Sequence, residues 1–324
     1  MKIVTLGDTH LGKVFQNGVP LHRRGDRERM QWAQFEAHLN AVDGVDFHIQ
    51  VGDLFDKFQV SNNIVFRTAM AYRAAAGTNP DCFYIVNRGN HDASKDLERV
   101  SSYQMFAAMC AGIDNLVVLQ DEPRRFGSGA KQQCIAVIPW HPTLTALELV
   151  EKYADDLKWN YGGVAYGHWD LVAIGDTTNL IPAGRLLELG FKSAVTGHDH
   201  LAREMVVLGL PVTVTGSMQP YSHAEDPDEL IYVTRTLTQA LAGDWADKCL
   251  RITLDPTEVL DTPIECLSLQ LARGKDDGAE AAQVDFEEFD FDALLTQAVE
   301  EIGMTAPMAA IVAERLEAAR AAQQ

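Results

Sequence analysis

The sequence predicts an α/β layered domain, because short apolar strands alternate along the chain with segments of helical periodicity. Three observations indicate this fold class. The chain opens on an apolar strand, helical segments separate the later strands, and five of the strands end in a short motif of Asp, His or Asn. Ligands bind at the carboxyl ends of strands in open α/β sheets, so we expect these endings to converge on one edge.

The first part of the pattern consists of three strands, each followed by a helix. The strands are KIVTLGD, DFHIQVGD and CFYIVNRGNHD, and the helices are RERMQWAQFEAHLNAV, NNIVFRTAMAYRAAA and SYQMFAAMCAG. In the first helix, Trp32, Phe35 and Leu39 fall roughly on one face. This spacing is typical of a helix that packs one apolar face on a sheet.

The second part adds five strands and two helices. The strands are QCIAVIPW, YGGVAYGHWD, FKSAVTGHD, PVTVTGS and ELIYVTR, and the helices are TALELVEKYADDL and AGRLLELG. After residue 236, CLRITLD and PIECLSLQL predict strands of a smaller unit, followed by an acidic Gly/Ala-rich run and two helices. The predicted domains are therefore 1–236, a small capping unit at 237–275, and a linker with a helical tail at 276–324.

Composition limits the function classes. The net charge of −19 argues against a broad basic face for nucleic acid, although divalent metal ions can carry positive charge at a phosphate. No apolar run approaches the roughly 20 residues of a membrane span, and MKIVTLGDTHLG lacks signal-peptide features, so a cytoplasmic protein without membrane contact is predicted. The five cysteines lack CxxC spacing, which favours reduced cysteines in the core.

The five strand-end motifs carry the residue types of a dinuclear metal site. Divalent cations take oxygen and imidazole ligands, and two adjacent cations need a carboxylate between them. Each motif is weak evidence when taken singly, but five in this order predict a metal site. Seven candidate ligands stand in them: Asp8, His10, Asp53, Asn90, His168, His198 and His200. Glycines precede four of the motifs, where the backbone must turn sharply and approach a ligand closely.

The motifs GDTHLG, GDLFD, GNHD, GHW and GHDH resemble, in order, the signature of the calcineurin-like metallophosphoesterases. The resemblance implies a layered β-sandwich flanked by helices, with a small C-terminal cap. It also implies phosphoester hydrolysis with two divalent metal ions. Manganese is the expected ion, because magnesium suits so many imidazole ligands less well.

The family pattern also implies a role for each motif residue. One metal ion is expected to be held by Asp8, His10 and His200, and the other by Asn90, His168 and His198. Asp53 is expected to bridge the two ions. His91 is then a catalytic residue beside the scissile phosphate, where it protonates or stabilises the leaving oxygen. Asp56 is expected to orient and charge His91.

Two further segments are similar to the SbcD-type DNA-repair nucleases, namely HRRGDRERMQWAQF and GSMQPYSHAEDPDE. This narrower resemblance implies a DNA exo/endonuclease whose helical tail binds an SbcC-type coiled-coil ATPase. The candidate DNA contacts are Lys13, Arg23, Arg24 and His223. The predicted second unit is shorter than the capping domain of that family, which fits a reduced, phage-like version of the nuclease.

Two other functions stay open at the level of sequence. One is a phosphodiesterase or phosphatase of the same superfamily that acts on a small molecule or a phosphoprotein, which the acidic composition favours. The other is a scaffold for the ATPase with an inactive metal site, which the intact set of seven ligands argues against. The tail helices could instead pack on their own domain, and a homodimer is also left open.

Overall fold

Two β-sheets stacked face to face form the centre of the fold, and helices cover the outer face of each sheet. The computed structural model describes residues 1–96, 98–128, 133–159, 162–171 and 177–273. This arrangement is the predicted α/β layered sandwich. Residues Met1–Arg273 form one compact unit.

The first sheet has four parallel strands in the order β1-β2-β3-β4. Its strands are β1 (Ile3–Leu6), β2 (Phe47–Gln50), β3 (Phe83–Val86) and β4 (Leu116–Val118), and the helices on its outer face are α1 (Asp26–Asn40), α2 (Asn62–Thr78) and α3 (Ser102–Cys110). The first three strands and all three helices confirm the predicted strand–helix pairs. The short β4 was not predicted.

The second sheet has six strands in the order β5-β6-β7-β8-β10-β9, with β6, β7, β8 and β10 parallel and the two edge strands antiparallel. Its strands are β5 (Arg124–Ser128), β6 (Gln133–Ile138), β7 (Gly163–Gly167), β8 (Phe191–Thr196), β9 (Arg203–Val207) and β10 (Leu210–Val214), and its helices are α4 (Ala146–Lys152), α5 (Ala154–Leu157) and α6 (Ala183–Glu188). The single helix predicted for residues 145–157 is wrong. Tyr153, with φ −113° and ψ 22°, separates two short helices.

Apolar side chains between the two sheets hold them together. Ile49 and Ile85 of the first sheet and Ile135 and Val137 of the second are fully buried in one cluster. Strands that are covered on both faces are expected to be apolar almost throughout, as these are. The packing fixes the two sheets so that the carboxyl ends of β1, β2, β3, β7 and β8 meet at one edge.

His48 on β2 is a buried imidazole on the helix-facing side of the first sheet. It is fully buried, and its ring lies 5.4 Å from that of Tyr84. Burial lowers the pKa of His48 from 6.5 to about 3. The folded protein therefore holds this side chain neutral at a pH where the unfolded chain would protonate it.

Replacing His48 with Gln is expected to make the free energy of unfolding less dependent on pH at acid pH. Because the folded pKa lies below the unfolded value, the wild type loses stability as the pH falls below 6.5 and towards 3. The free energy of unfolding should fall by about 1.4 kcal/mol per pH unit more in the wild type than in His48→Gln. Urea unfolding at several pH values measures this, with the difference at about pH 8 as the baseline. Equal slopes would contradict the prediction.

A third sheet follows the second in the chain. Three parallel strands, β11 (Tyr232–Thr236), β12 (Trp245–Leu254) and β13 (Cys266–Arg273), are covered by the helix α7 (Leu237–Ala242). The strands β12 and β13 lie in the stretch predicted as the small capping unit, whereas β11 lies in the predicted first domain, and the sheet belongs to the same compact unit as the sandwich. The predicted linker and helical tail, 276–324, lie outside the described residues.

The five cysteines lie in the core, as predicted. Cys82, Cys110, Cys134, Cys249 and Cys266 are all buried and unpaired. This confirms their place in the core. Among the described residues, every helix is too short or too polar to cross a membrane.

Candidate metal centre

All five predicted motifs meet at one edge of the sandwich. Asp8 and His10 follow β1, and Asp53 follows β2. Asn90 follows β3, and the remaining candidates come from the other sheet, where His168 follows β7, and His198 and His200 follow β8. Because parallel strands end at the same edge, residues almost two hundred positions apart become neighbours.

Asp8, His10 and His200 form the first group of candidate ligands, each offering one ligand atom within 4.8 Å of the others. The Nε2 atoms of His10 and His200 are 3.0 Å apart. Asp8 Oδ2 lies 3.7 Å from His200 Nε2. The sequence predicted these three side chains as the ligands of one ion, and the structure brings them together.

Asn90, His168 and His198 form the second group. The amide oxygen Oδ1 of Asn90 lies 2.9 Å from His168 Nε2 and 3.1 Å from His198 Nδ1. One oxygen and two ring nitrogens therefore converge beside the first group, which is the combination predicted for the second ion.

Asp53 lies between the two groups. Its Oδ2 atom is 3.8 Å from His10 Nε2 on one side and 3.2 Å from His168 Nε2 on the other. Its Oδ1 atom accepts a hydrogen bond of 2.9 Å from the His91 backbone. The carboxylate therefore lies between the two groups, where the bridging ligand was predicted.

The donor set fits divalent metal ions. It consists of carboxylate and amide oxygens with imidazole nitrogens, the ligand types of zinc, manganese and iron sites. Asp8 Oδ1 is buried and has no hydrogen-bond partner among the described residues. His168 Nδ1 lies 3.5 Å from this oxygen, and a buried carboxylate oxygen without a hydrogen bond is costly unless positive charge compensates it.

Burial and neighbouring charges shift the pKa values of the candidate ligands in different directions. It lowers the pKa of His10 to about 3 and that of His198 to about 4, so both rings are neutral at pH 7 and keep an electron pair free. Burial also raises the pKa of Asp8, to about 7. Burial opposes the ionisation of Asp53, but the neighbouring His168 holds its pKa below the usual range. Burial alone would lower the pKa of His168, but attraction to the Asp53 and Asp8 carboxylates outweighs it and raises this pKa to about 9.

The backbone at the centre is strained. His10, Asp53 and His198 have φ values of 45°, 50° and 77°, the left-handed region that residues other than glycine rarely adopt. Such conformations persist where the surrounding structure enforces them, and they cluster at functional sites. Three of the seven candidate ligands are held in this way.

Two of the motif glycines confirm the predicted close approach. A Cβ atom on Gly197 would lie 2.3 Å from Asp8 Oδ1, and one on Gly89 would lie 2.1 Å from Asp53 Oδ1. Any larger residue would displace a candidate ligand. Glycine is therefore required here by contact with the carboxylates rather than by φ.

The contact between His91 and Asp56 differs from the prediction. The Nδ1–H group of His91 donates to the main-chain carbonyl of Asp56 at 2.7 Å. The Asp56 carboxylate instead lies 3.8 Å from His10 Nδ1 and 3.5 Å from Lys13 Nζ. The prediction that this carboxylate orients and charges His91 is therefore wrong, because the tight turn after β2 presents the carbonyl to His91.

Two acidic residues that support the centre were missed in the sequence. Asp92 is fully buried and accepts hydrogen bonds from the backbone N–H groups of Leu54, Phe55 and Gly89. It ties the Asp53 loop to the Asn90 loop. Glu225 Oε2 lies 3.3 Å from His200 Nδ1, which leaves the other ring nitrogen facing Asp8. Asp92 could have been found from the sequence, because it is the last residue of the GNHD motif. Glu225 belongs to none of the five strand-end motifs.

Two of the four candidate DNA contacts, Lys13 and His223, line one cavity, whereas Arg23 and Arg24 do not. Lys13 lies beside the centre, and His223 lies in the short 3-10 helix His223–Glu225. Arg23 is occupied by ion pairs with Asp26 at 2.5 Å and Glu265 at 2.7 Å. Arg24 is exposed. Because these two carboxylates neutralise Arg23, it is less suited to contact a phosphate.

Removing divalent cations is expected to abolish hydrolysis and to destabilise the protein. Asp8 and Asp53 are buried close together, and cations offset their repulsion. Ligands at about a hundred times their Kd stabilise a fold by about 2.7 kcal/mol, so Tm should fall by roughly 5 °C or more after chelation. Differential scanning fluorimetry with EDTA, followed by added manganese, measures the loss and its recovery. An unchanged Tm with unchanged activity would contradict the metal site.

A family model described as calcineurin-like phosphoesterase matches residues 1–203, which include all seven candidate ligands. No curated protein sequence matches the chain.

Several solved structures are distantly similar. A phosphopantetheinyl hydrolase from Mycobacterium tuberculosis is 13% identical, with a TM-score of 0.42 over 68% of this chain and 93% of that one. A dimetal phosphatase from Danio rerio is 13% identical, with a TM-score of 0.39 over 67% and 87%. A putative 5′-nucleotidase from Staphylococcus aureus is 16% identical, with a TM-score of 0.37 over 67% and 48%. The family assignment rests on the family model.

Proposed function

We propose that the chain is a metal-dependent DNA nuclease. It belongs to the calcineurin-like phosphoesterase family, whose members hydrolyse phosphoesters at a dinuclear metal site. The reaction is hydrolysis of a phosphodiester bond by water. The cysteines take no part in it, since all five are buried.

The proposed metal ligands are those that converge at the edge of the sandwich. One ion would be held by Asp8, His10 and His200 and the other by Asn90, His168 and His198, and Asp53 would be shared. When bound, two cations would supply Lewis-acid charge to the phosphate and to a water molecule. Manganese is the proposed ion, because the set mixes oxygen with several imidazole ligands.

His91 is the proposed acid for the leaving oxygen. Its Nδ1 donates to a carbonyl, which can only accept, so Nδ1 carries a hydrogen and Nε2 is the nitrogen that can act on a substrate. Nε2 lies 3.9 Å from Asp53 Oδ2, on the side of the candidate ligands. The side chain is 44% exposed, so a substrate can reach it. A proton on Nε2 can pass to the leaving oxygen as the P–O bond breaks.

The observation that carries the choice of DNA is the position of residues 216–226, part of the segment GSMQPYSHAEDPDE. Met218 N–H donates to the Asp8 carbonyl at 2.8 Å, and Ser217 N–H donates to the His200 carbonyl at 3.2 Å. The Tyr221 hydroxyl donates to the Thr9 carbonyl at 2.6 Å. The segment that resembles the SbcD-type nucleases is thus one wall of the centre.

A small-molecule phosphodiesterase or phosphatase is the second candidate. Carboxylates neutralise two of the candidate DNA contacts, since Lys13 lies 3.5 Å from Asp56 and Arg23 pairs with Glu265. With a net charge of −19, the chain does not attract a polyanion over its whole surface.

Substrate comparison distinguishes the two candidates. End-labelled single- and double-stranded DNA, bis(p-nitrophenyl) phosphate and p-nitrophenyl phosphate should each be assayed with manganese and with magnesium. If the protein is a nuclease, we expect cleavage of DNA and of bis(p-nitrophenyl) phosphate. Turnover of small esters with intact DNA would overturn the nuclease in favour of the second candidate.

Binding of an SbcC-type ATPase remains a prediction from the sequence of the tail. A pull-down with the full chain and with a chain that lacks residues 286–324 tests it. Retained binding after the deletion would contradict the prediction. A chain that binds the ATPase but hydrolyses no phosphoester would instead favour the scaffold.

A further inference from the structure

A cavity of about 480 Å³ lies beside the candidate metal centre, between residues 13–19 and the strands β12 and β13. Tyr221 forms a wall that the cavity shares with the centre. Its ring lies 5.3 Å from that of His10 and 5.8 Å from that of His200. The cavity is thus one side chain away from the candidate ligands.

The charge of the cavity is opposite to that of the protein. The chain has 46 acidic and 27 basic residues. Even so, the described residues that line the cavity include no Asp or Glu, and they include the cations Arg27 and Arg251 together with Lys13, whose Nζ lies 3.5 Å from Asp56 Oδ1. A concave site lined by cations concentrates anions, even on an acidic protein.

Arg27 is a buried cation without an acidic partner in the described part of the chain. It is 2% exposed, and it donates to Gln219 Oε1 and to the Pro220 carbonyl, each at 3.0 Å. Its Nε atom has no partner there. A buried charge without a counter-charge is costly, and an anionic ligand in the cavity would offset that cost.

Aromatic rings line the same cavity. The rings of Phe15 and Tyr221 are stacked, with centroids 6.2 Å apart and planes at 24°. The Arg27 guanidinium lies 4.7 Å from the Phe15 ring centroid. Aromatic faces beside cations are the features that bind single-stranded nucleic acid, because every base can stack and every phosphate is charged.

We propose that this cavity binds the nucleotide next to the scissile phosphodiester, with its phosphate held by Arg27 and Arg251 and its base against Phe15. This rests on the proposed nuclease function and specifies its substrate as an unpaired strand of at least two nucleotides. The volume falls within the range of about 300–1,000 Å³ for ligand pockets.

Arg251→Ala is the test variant, because Arg251 lies on β12 and donates to Gln270 Oε1 at 3.0 Å without a carboxylate partner among the described residues. The ratio of kcat/KM for a short single-stranded oligonucleotide to that for bis(p-nitrophenyl) phosphate should fall about tenfold or more. Fluorescence anisotropy of a labelled tetrathymidylate in EDTA should show Kd rising by a similar factor. This second readout does not depend on metal or turnover.

Arg124→Ala is the matched control, since Arg124 lies on the edge strand β5, where its side chain contacts the Phe126 ring. It should leave both the ratio and Kd as in the wild type. An unchanged ratio and Kd in Arg251→Ala would overturn the inference while the nuclease function stands. Equal losses on both substrates would also overturn it, since Arg251 would then act through the fold. A wild type that cleaves only the small diester would overturn the nuclease and the inference together.

Discussion

Asp53→Asn is expected to reduce phosphodiester hydrolysis by at least about a thousandfold and to lower the metal content from two ions per chain to one or none. The carboxylate lies between His10 and His168, and the amide keeps its size but loses the charge that offsets two cations. A thousandfold corresponds to about 4 kcal/mol of transition-state stabilisation. Elemental analysis of the purified variant and steady-state kinetics with manganese measure the two effects.

Asp81→Asn is the control for this variant, because Asp81 is exposed and lies just before β3, away from the centre. It should retain both ions and full activity. If Asp53→Asn kept two ions per chain, the bridging role would be wrong. A folded variant is checked by its circular dichroism spectrum.

His91→Ala is expected to lower kcat for DNA by about a hundredfold to ten-thousandfold while both ions stay bound. The reason is that His91 Nε2 faces the centre and can protonate the leaving oxygen, whereas the seven ligands remain in place. The loss should be much smaller on bis(p-nitrophenyl) phosphate, because nitrophenolate leaves without needing a proton. Kinetics on both substrates and elemental analysis give the required comparison.

This difference between leaving groups separates acid catalysis from metal binding. His91, His10 and Asp53 offer ligand atoms within 4.8 Å of one another, so a role as a ligand is the main competitor. Loss of a metal ion in His91→Ala would support that competitor. An equal loss of kcat on the two substrates, with both ions retained, would rule out protonation of the leaving group.

The central strands were predictable because they are buried on both faces and therefore appear as continuous apolar runs. The strands β4, β5 and β9 lack this signal. β4 has three residues, and β9 has two exposed charged residues, Arg203 and Glu204, at an edge of the sheet. The break at Tyr153 was also invisible, because TALELVEKYADDL keeps helical spacing throughout. Edges and short breaks depend on tertiary neighbours rather than on periodicity.

The sequence by itself determined the fold class, the family resemblance and the identity of all seven candidate ligands, because these depend on residue type and on position at a strand end. Only the tertiary structure decided what the ligands contact. It placed Asp53 between the two groups, gave His91 the Asp56 carbonyl rather than the carboxylate, and brought Glu225 to His200. The physical reason is that main-chain carbonyls look alike in every sequence, and contacts between distant residues exist only after the two sheets have packed.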